Sequence, residues 1–344
     1  MKGRMRTTAK LGCTVGSALL CLAVLAHVAR AEVGEVTLAG QYGLPYLPFM
    51  VMQHARLIEK HAKALGMPEL KVKWVTLGGP AAGIDALLSG QVSYSGAGTT
   101  SLATLWDKTH GTPEEARAIC AMQSMPYYLV TRNPKVKTIK DFTSESKIAL
   151  PSVKVTQHAL ILEMAAAKLW GESNYARLDP ITVSMAHPDA MAALLSGKGE
   201  IDSHFASSPF YYEELERPGI RLVLKSYDVV GGRHSNGLIY TTTKFHDANP
   251  TVNKAVFDAF KEAAEEIYAR PKAAAAIYLE LTKDRRNSLA TLEKWVLDPE
   301  VKYTQTPENT MPFVEFMYKV GRIKNRPSSW RDLFFPEAHG FPGS

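Results

Sequence analysis

Apolar side chains recur every three or four residues along several stretches of the chain, and an early example covers residues 48–65. Val51, Ala55, Ile58 and Ala62 fall on one helix face at that spacing, and Gly66 is a residue type that commonly ends helices. The spacing therefore predicts a single helix over residues 48–65 with one buried face.

Short apolar runs alternate with such helical segments through most of the chain. Strands are predicted at residues 36–39, 71–77, 91–95, 117–122, 128–131, 147–150, 181–185, 201–205, 221–225 and 238–242. Helices are predicted at residues 48–65, 80–89, 99–108, 156–170, 188–196 and 209–215, and the tail is predicted to be helical from Pro250 onward. This alternation predicts an α/β fold whose mostly parallel sheets carry helices on their faces.

One five-residue segment occurs twice, 107 residues apart. Residues 86–90 and residues 193–197 both read Ala-Leu-Leu-Ser-Gly. Each copy follows a strand and a proline-started helix, and each precedes a short strand, small residues and a further helix. A match of five common residues could arise by chance, but the shared order of strands and helices around it favours two similar α/β lobes. A solenoid is less favoured, because it needs more copies of its repeat.

The loops that follow the predicted strands are rich in Gly, Ser, Thr and Pro and lead directly into helices. Ligands of open α/β sheets bind at the carboxyl ends of the strands, and the unpaired N–H groups of a helix start attract anions. The Ser and Thr residues could instead only cap the helices, and a lone His is often a capping or surface residue. The candidate ligand-binding residues at these helix starts are Gly79, Pro80, Gly98, Thr99, Thr100, Ser152, Thr156, Gln157, His187, Ser207 and Ser208.

Basic residues are concentrated at the N-terminus. The chain has a formal net charge of +6, and residues 1–31 hold five of its 40 Lys and Arg residues and no acid. The remainder is nearly neutral, which argues against a nucleic-acid surface as the main function. An apolar stretch over residues 15–28 and the sequence Ala29-Arg30-Ala31 follow, a pattern typical of a signal peptide cut near Ala31. The apolar stretch is short for a membrane anchor, which needs about 20 residues. We therefore expect an exported, soluble mature chain that begins near Glu32.

Motifs for enzymatic chemistry are weak. Residues 96–101 follow a strand and open a helix, but Ser101 replaces the third glycine of a dinucleotide-binding motif. The sequence contains no Gly-x-Ser-x-Gly, His-Glu-x-x-His or Cys-x-x-Cys motif. His54 and His61 could share a helix face but are too far apart for a compact pair of metal ligands. We therefore expect no catalytic residues, no cofactor and no metal site.

Several loosely matching segments, in order along the chain, form a more specific set. They are residues 40–43 (Gly-Gln-Tyr-Gly), 47–51 (Leu-Pro-Phe-Met-Val), 86–92 (Ala-Leu-Leu-Ser-Gly-Gln-Val), 96–98 (Gly-Ala-Gly), 139–142, 147–151, 195–202 and 245–250. With these segments the chain resembles the SsuA-like periplasmic solute-binding proteins of ABC importers in the nitrate, sulfonate and taurine group. One departure is Ser93, where that family usually has Asp; Asp202 keeps the Asp in the second copy.

The resemblance implies a type II periplasmic binding protein fold, in which a ligand binds between two lobes and draws them together. Lobe 1 would comprise residues 32–126 and 237–344, and lobe 2 residues 127–236. Tyr127 and Asn236, beside the two crossings between lobes, would then lie at the floor of the cleft. Further candidate ligand-binding residues, in the loop after the first strand, are Gln41, Tyr42 and Tyr46.

The function implied by the resemblance is that of a monomeric periplasmic receptor. It would bind a small organic anion, such as a sulfonate, a taurine-like compound or a carboxylate, and deliver it to an ABC permease of the inner membrane with its ATPase. The tyrosines can supply an apolar wall and a hydrogen bond each, or they can simply pack in the core. An exported enzyme on the same scaffold and a receptor that feeds a sensor are the alternatives.

Overall fold

The computed structural model of the protein describes Gly3 and residues 32–344, so the predicted signal peptide lies outside the described residues except for Gly3. Residues 33–344 belong to one unit. Its strands are β1 (Glu35–Gly40), β2 (Lys71–Thr76), β3 (Tyr94–Ala97), β4 (Ala116–Ser124), β5 (Tyr128–Thr131), β6 (Ile148–Leu150), β7 (Thr182–Ser184), β8 (Ser203–Ala206), β9 (Arg221–Lys225), β10 (Ser235–Thr242) and β11 (Lys302–Tyr303). Its α-helices are α1 (Leu47–His54), α2 (Leu57–Ala64), α3 (Pro80–Leu88), α4 (Thr99–Thr109), α5 (Gln157–Trp170), α6 (His187–Ser196), α7 (Phe210–Leu215), α8 (Ser226–Val230), α9 (Thr243–Ala248), α10 (Pro250–Ala269), α11 (Pro271–Thr282), α12 (Leu289–Val296) and α13 (Met311–Lys319).

These strands form two sheets. The first has the order β11-β4-β10-β3-β1-β2, and the second has the order β7-β6-β8-β5-β9. The chain passes from the first sheet to the second between Ser124 and Tyr128, and it returns between α8 and Ser235. Two lobes, each built on one sheet, follow from this arrangement.

Both sheets are mixed, with a smaller parallel share than the sequence predicts. In the first sheet β1 runs parallel to β2 and β3, whereas β10 is antiparallel to β3 and β4, and β11 is antiparallel to β4. In the second sheet β6 runs parallel to β7 and β8, whereas β5 is antiparallel to β8 and β9. Strand β5 follows β4 directly, and only the short helix α8 separates β10 from β9. Neither strand is therefore reached by a crossover within its own sheet, which parallel pairing requires.

The helix predicted over residues 48–65 is two helices, α1 and α2, because the backbone breaks at Arg56. Arg56 adopts a left-handed conformation with φ of 50° and pairs with Glu59 at 3.2 Å. Val51, Ile58 and Ala62 are nevertheless buried, whereas Ala55, predicted on the same face, is exposed beside the break. The apolar spacing continues across the break, so hydrophobic periodicity alone could not reveal it.

Helix α10 carries a buried stripe of the predicted spacing. Its residues Val252, Val256, Phe260 and Ile267 are each 0 % exposed and pack in the same core as α2 and β1. Burying a large apolar side chain of this kind stabilises the fold by about 1.5–3 kcal/mol. Within residues 32–344, no helix combines the length and the apolar character needed to cross a bilayer.

Candidate functional site

Loops from both sheets meet around one small cavity. They follow the carboxyl ends of the parallel strands β1, β2, β3, β6, β7 and β8, and the start of β10 and the segment before β5 join them. The cavity has a volume of about 30 Å³, which suits a group of only a few atoms. Its lining residues are Gln41, Tyr42, Pro45, Tyr46, Pro80, Gly98, Ser101, Tyr127, Pro151, Thr156, Gln157, His158, His187, Ser207 and Asn236.

The structure brings eleven of the sixteen candidate residues to this cavity. They are Gln41, Tyr42, Tyr46, Pro80, Gly98, Tyr127, Thr156, Gln157, His187, Ser207 and Asn236. Sequence reasoning missed Pro45, Ser101, Pro151 and His158. Of these His158 is the most informative, because it directly follows Gln157 at a predicted helix start.

The other five candidates lie around the cavity without lining it. The hydroxyl of Thr99 donates to the backbone oxygen of Ser235 at 3.4 Å, and the buried hydroxyl of Thr100 has no hydrogen-bond partner among the described residues. Gly79 and Ser152 face each other across the two lobes, since a Cβ on Gly79 would lie 2.7 Å from the Ser152 hydroxyl. The backbone oxygen of Ser208 accepts a hydrogen bond from the N–H of Leu44 at 2.9 Å. Successive residues of a helix point in different directions, so a helix start can turn only some of its residues toward a ligand.

Four helices begin at the cavity. Pro80 opens α3, Gly98 precedes α4, Thr156 caps α5, and His187 opens α6. The amino ends of helices carry partial positive charge and unpaired N–H groups, which favour a bound anion. The described residues that line the cavity include no Lys, Arg, Asp or Glu. An anion here would therefore be held by dipoles and neutral donors.

Gln157 connects the two lobes beside the cavity. Its Oε1 accepts a hydrogen bond from the backbone N–H of Thr99 at 3.1 Å, which fixes the orientation of the amide. Its Nε2 then donates to the backbone oxygen of Ser235 at 3.0 Å and lies 3.2 Å from Nδ1 of His234. Because Nε2 can only donate, Nδ1 of His234 is an acceptor and that ring is neutral.

The tyrosines serve as walls of the cavity. The Tyr46 hydroxyl donates to the backbone oxygen of Gly96 at 3.0 Å, and the Tyr127 hydroxyl donates to that of Asn236 at 3.1 Å. The ring of Tyr127 also lies over His158, with 3.7 Å between ring centroids. Both hydroxyl protons are therefore committed to the backbone, and neither is free to donate to a ligand.

Two lining side chains keep buried polar atoms without a partner among the described residues. Both amide atoms of Asn236 and Nδ1 of His158 are unpartnered, whereas Nδ1 of His187 lies 2.8 Å from Nε2 of His204. His158 uses its Nε2 on the Ser207 hydroxyl, 3.2 Å away. Burial, with the neighbouring histidines adding to it, lowers the pKa of both His158 and His187 well below the ordinary value. These atoms are neutral hydrogen-bonding groups that a small polar ligand could contact.

A larger groove of about 640 Å³ adjoins the cavity and shares Gln41, Tyr42 and Tyr46 with it. Aromatic rings and the segment after α11 shape its walls, which include Phe49, Trp74, Phe210, Tyr278, Arg285 and Arg286. A ligand too large for the cavity can therefore extend into this groove. Within the described part of the chain, no three His, Cys, Asp or Glu side chains are grouped as metal ligands.

The two mixed sheets, the paired crossings and the cavity between lobes define the fold of the SsuA-like periplasmic binding proteins. Three solved structures illustrate the similarity. The alkanesulfonate-binding protein SsuA from Xanthomonas axonopodis pv. citri, bound to MOPS, has a TM-score of 0.66 and 15% identity over 86% of this chain and 96% of its own. The periplasmic nitrate-binding protein NrtA from Synechocystis PCC 6803 has a TM-score of 0.68 and 16% identity over 89% of this chain and 87% of its own.

The periplasmic aliphatic sulphonate binding protein SsuA from Escherichia coli has a TM-score of 0.62 and 15% identity over 89% of this chain and 99% of its own. No protein-family model and no curated protein matches the chain. At these identities the similarity defines the fold, and the function rests on the site.

Proposed function

We propose that this protein is a solute receptor that binds a small oxyanion between its lobes and delivers it to the permease of an ABC importer. The observation that carries this proposal is the cavity to which loops of both sheets contribute. A ligand that contacts both lobes stabilises their closed arrangement, which gives a permease a state to recognise. The similar structures include proteins described as binding sulfonates and nitrate.

The chemistry of the cavity supports an anion held without a permanent cation. Four helix amino ends converge there, and the Asn236 amide supplies unpaired polar atoms beside them. The oxyanion head group, such as a sulfonate or carboxylate, occupies the small cavity. An organic remainder extends along the aromatic wall of the adjoining groove past Tyr42 and Tyr46. The sixteen candidate residues divide accordingly, with eleven contacting the ligand and five lying around it.

The two lobes close as units about the two crossings. Lobe 1 comprises residues 32–126 and 237–344, and lobe 2 comprises residues 127–236. Hydrogen bonds between them away from the cavity support a closing motion: Tyr128 donates to Glu300 at 2.9 Å, and Arg286 pairs with Glu213 at 2.9 Å. Residues 1–31 act as a cleaved signal peptide, and the mature chain works as a monomer in the periplasm without enzymatic activity.

A thermal-shift screen of the mature chain tests the proposal. The probes are nitrate, methanesulfonate, taurine, acetate and benzoate, with dimethyl sulfone as a neutral match for methanesulfonate. A ligand that binds the folded state raises the melting temperature by mass action. We expect at least one oxyanion to raise it while dimethyl sulfone does not. A melting temperature unchanged by every anion at millimolar concentration would contradict the proposal, and chemical turnover of a bound probe would favour an enzyme.

A further inference from the structure

A buried chain of three side chains leads from the cavity into the second lobe. Nδ1 of His187 lies 2.8 Å from Nε2 of His204, and Nδ1 of His204 lies 2.6 Å from Oε1 of Glu214. His187 is 6 % exposed, and the other two side chains are fully buried. The other oxygen of Glu214 has no hydrogen-bond partner in the described part of the chain.

We propose that Glu214, acting through His204, fixes His187 as an N–H donor toward the cavity and so sets the site to accept a hydrogen-bond acceptor. Glu214 touches no ligand in this arrangement and is a positioning residue. The proposal rests on the proposed function for the identity of the ligand, but the proton positions it assigns do not depend on a ligand.

The proton positions on His187, His204 and Glu214 depend on one another. Each of its two hydrogen bonds contains one proton. If Nε2 of His187 carries a third proton, the three side chains together are neutral. The other neutral arrangement would place that proton on Oε2 of Glu214, where it finds no acceptor among the described residues, and with neither proton the three side chains carry one net negative charge. This holds whether the proton shared by Glu214 and His204 resides on the carboxyl or on the ring.

Burial favours the neutral arrangement, because a net charge in this environment is not solvated. Burial, together with the charge of Glu213, raises the pKa of Glu214 well above its ordinary value, and burial lowers the pKa of His204 to about 3. Glu214 then donates to His204, His204 donates to His187, and Nε2–H of His187 faces the cavity.

The surroundings hold this arrangement in place. The ring of His187 stacks on Phe210 with 5.4 Å between centroids and an interplanar angle of 25°, which limits its rotation. The titratable groups that act on the chain are Glu213, itself paired with Arg286, and His158, whose ring lies 5.3 Å from that of His187. A bound oxyanion would further favour Nε2–H, since the deprotonated chain would place a second negative charge beside it.

Imidazole nitrogen NMR of the ¹⁵N-labelled mature chain at pH 7 tests the proposal without a ligand. We expect His187 to carry its proton on Nε2, and its signals are assigned by their loss in His187→Gln. A proton on Nδ1 of His187 would overturn the proposal, because His204 would then be the acceptor and the direction of the chain would be reversed.

Variants of Glu214 separate positioning from packing. Glu214→Gln can still donate to His204 and is expected to keep the proton of His187 on Nε2. Glu214→Ala removes the donor, so His187 should distribute between both neutral tautomers. Glu216→Gln, at an exposed position just after the end of the same helix, is the matched control and should leave the tautomer unchanged. A wild-type tautomer in folded Glu214→Ala would show that Glu214 does not set it; if that variant does not fold, the wild-type and Glu214→Gln spectra decide.

Calorimetry with methanesulfonate tests whether these three hydrogen-bonded side chains affect ligand binding. Its affinity should fall about twofold in Glu214→Ala, the loss expected when half of the molecules hold the competent tautomer. Methanesulfonate binding to a protein whose His187 carries its proton on Nδ1 would leave the proposed function standing and overturn the inference. An Nε2–H tautomer in a protein that binds no oxyanion would support the inference and contradict the proposed function.

Discussion

The side chain of Gln157 accepts a hydrogen bond from the backbone N–H of Thr99 at 3.1 Å, and this contact joins the two lobes at the cavity. Gln157 also donates to the backbone oxygen of Ser235, the first residue of β10. One side chain at the start of α5 thus holds the start of α4 and the start of β10. The arrangement of the lobes and the shape of the cavity are therefore coupled through Gln157.

Replacing Gln157 by Ala should weaken closure of the lobes. Each lost hydrogen bond removes about 1 kcal/mol of net stabilisation, so the affinity for an oxyanion identified by the screen should fall tenfold or more. Small-angle scattering at a fixed concentration of that anion should give a larger radius of gyration than for the wild type. Gln91→Ala, at an exposed position outside the cavity, is the matched control. Wild-type affinity and scattering in Gln157→Ala would contradict this role.

Gly79 is expected to be required for the lobes to approach. Its backbone is extended, so Ala is tolerated locally, but a Cβ would lie 2.7 Å from the backbone oxygen of Pro151 in the opposite lobe. Gly79→Ala should therefore leave the open form intact and reduce ligand affinity more than tenfold, with no compaction in solution scattering. In the adjacent control Gly78→Ala, the added Cβ would lie 3.9 Å from Ala186, an ordinary contact. Equal affinities of the two variants would exclude a close approach at Gly79.

Local sequence signals predicted much of the fold. Strands β5 and β9 have the predicted bounds, and α3 begins at Pro80 as its proline predicts. Two features had no local signal. The break at Arg56 preserves the apolar spacing, and the antiparallel pairing of β10 depends on the route of the chain between sheets. Both are set by tertiary packing.

The position of the site could be predicted from helix starts, but the partners of its side chains could not. The sequence marked His187 as a candidate and left His204 and Glu214 unremarked, although all three form one chain of hydrogen bonds. These residues lie on α6, β8 and α7, so only the packing of three elements brings them together. For the same reason the sequence could not tell whether the tyrosine hydroxyls bond to a ligand, and those of Tyr46 and Tyr127 bond to the backbone.

His234 should make the protein sensitive to acid. Burial lowers the pKa of His234 to about 3, whereas the side chain in the unfolded chain titrates near 6.5. Between these pH values only the unfolded state binds the proton. The stabilisation that comes from the neutral His234 ring is therefore fully present above pH 6.5 and is lost as the pH falls. From pH 7.5 to 5 this one group accounts for about 2 kcal/mol of the free energy of unfolding.

Urea unfolding of the wild type and of His234→Gln at both pH values measures this contribution. The glutamine can keep hydrogen bonds to Gln157 and Ser226, which His234 contacts at 3.2 and 2.9 Å. We expect the loss of stability between pH 7.5 and pH 5 to be smaller in the variant by about 2 kcal/mol. The same loss in both proteins would show that His234 is protonated in the folded state.

Trp295 should report closure of the lobes through its fluorescence. The ring of Tyr212, on α7 of the second lobe, stacks on Trp295 of α12 in the first, with 5.0 Å between centroids and an interplanar angle of 8°. The Tyr212 hydroxyl also donates to Asp298 at 2.6 Å. Opening of the lobes separates these groups, so binding of an oxyanion should change the tryptophan emission. Because Trp74 lines the groove, the test uses a Trp74→Phe background, in which Trp295→Phe should remove most of that change. Trp330→Phe should retain it, because Trp330 packs on Phe334 and His339 of its own segment.

Tyr212→Phe keeps the stack and loses the hydrogen bond, so it should keep the emission change while affinity falls about threefold. An emission change that persists in Trp295→Phe would mean that the Tyr212–Trp295 contact does not open with the lobes.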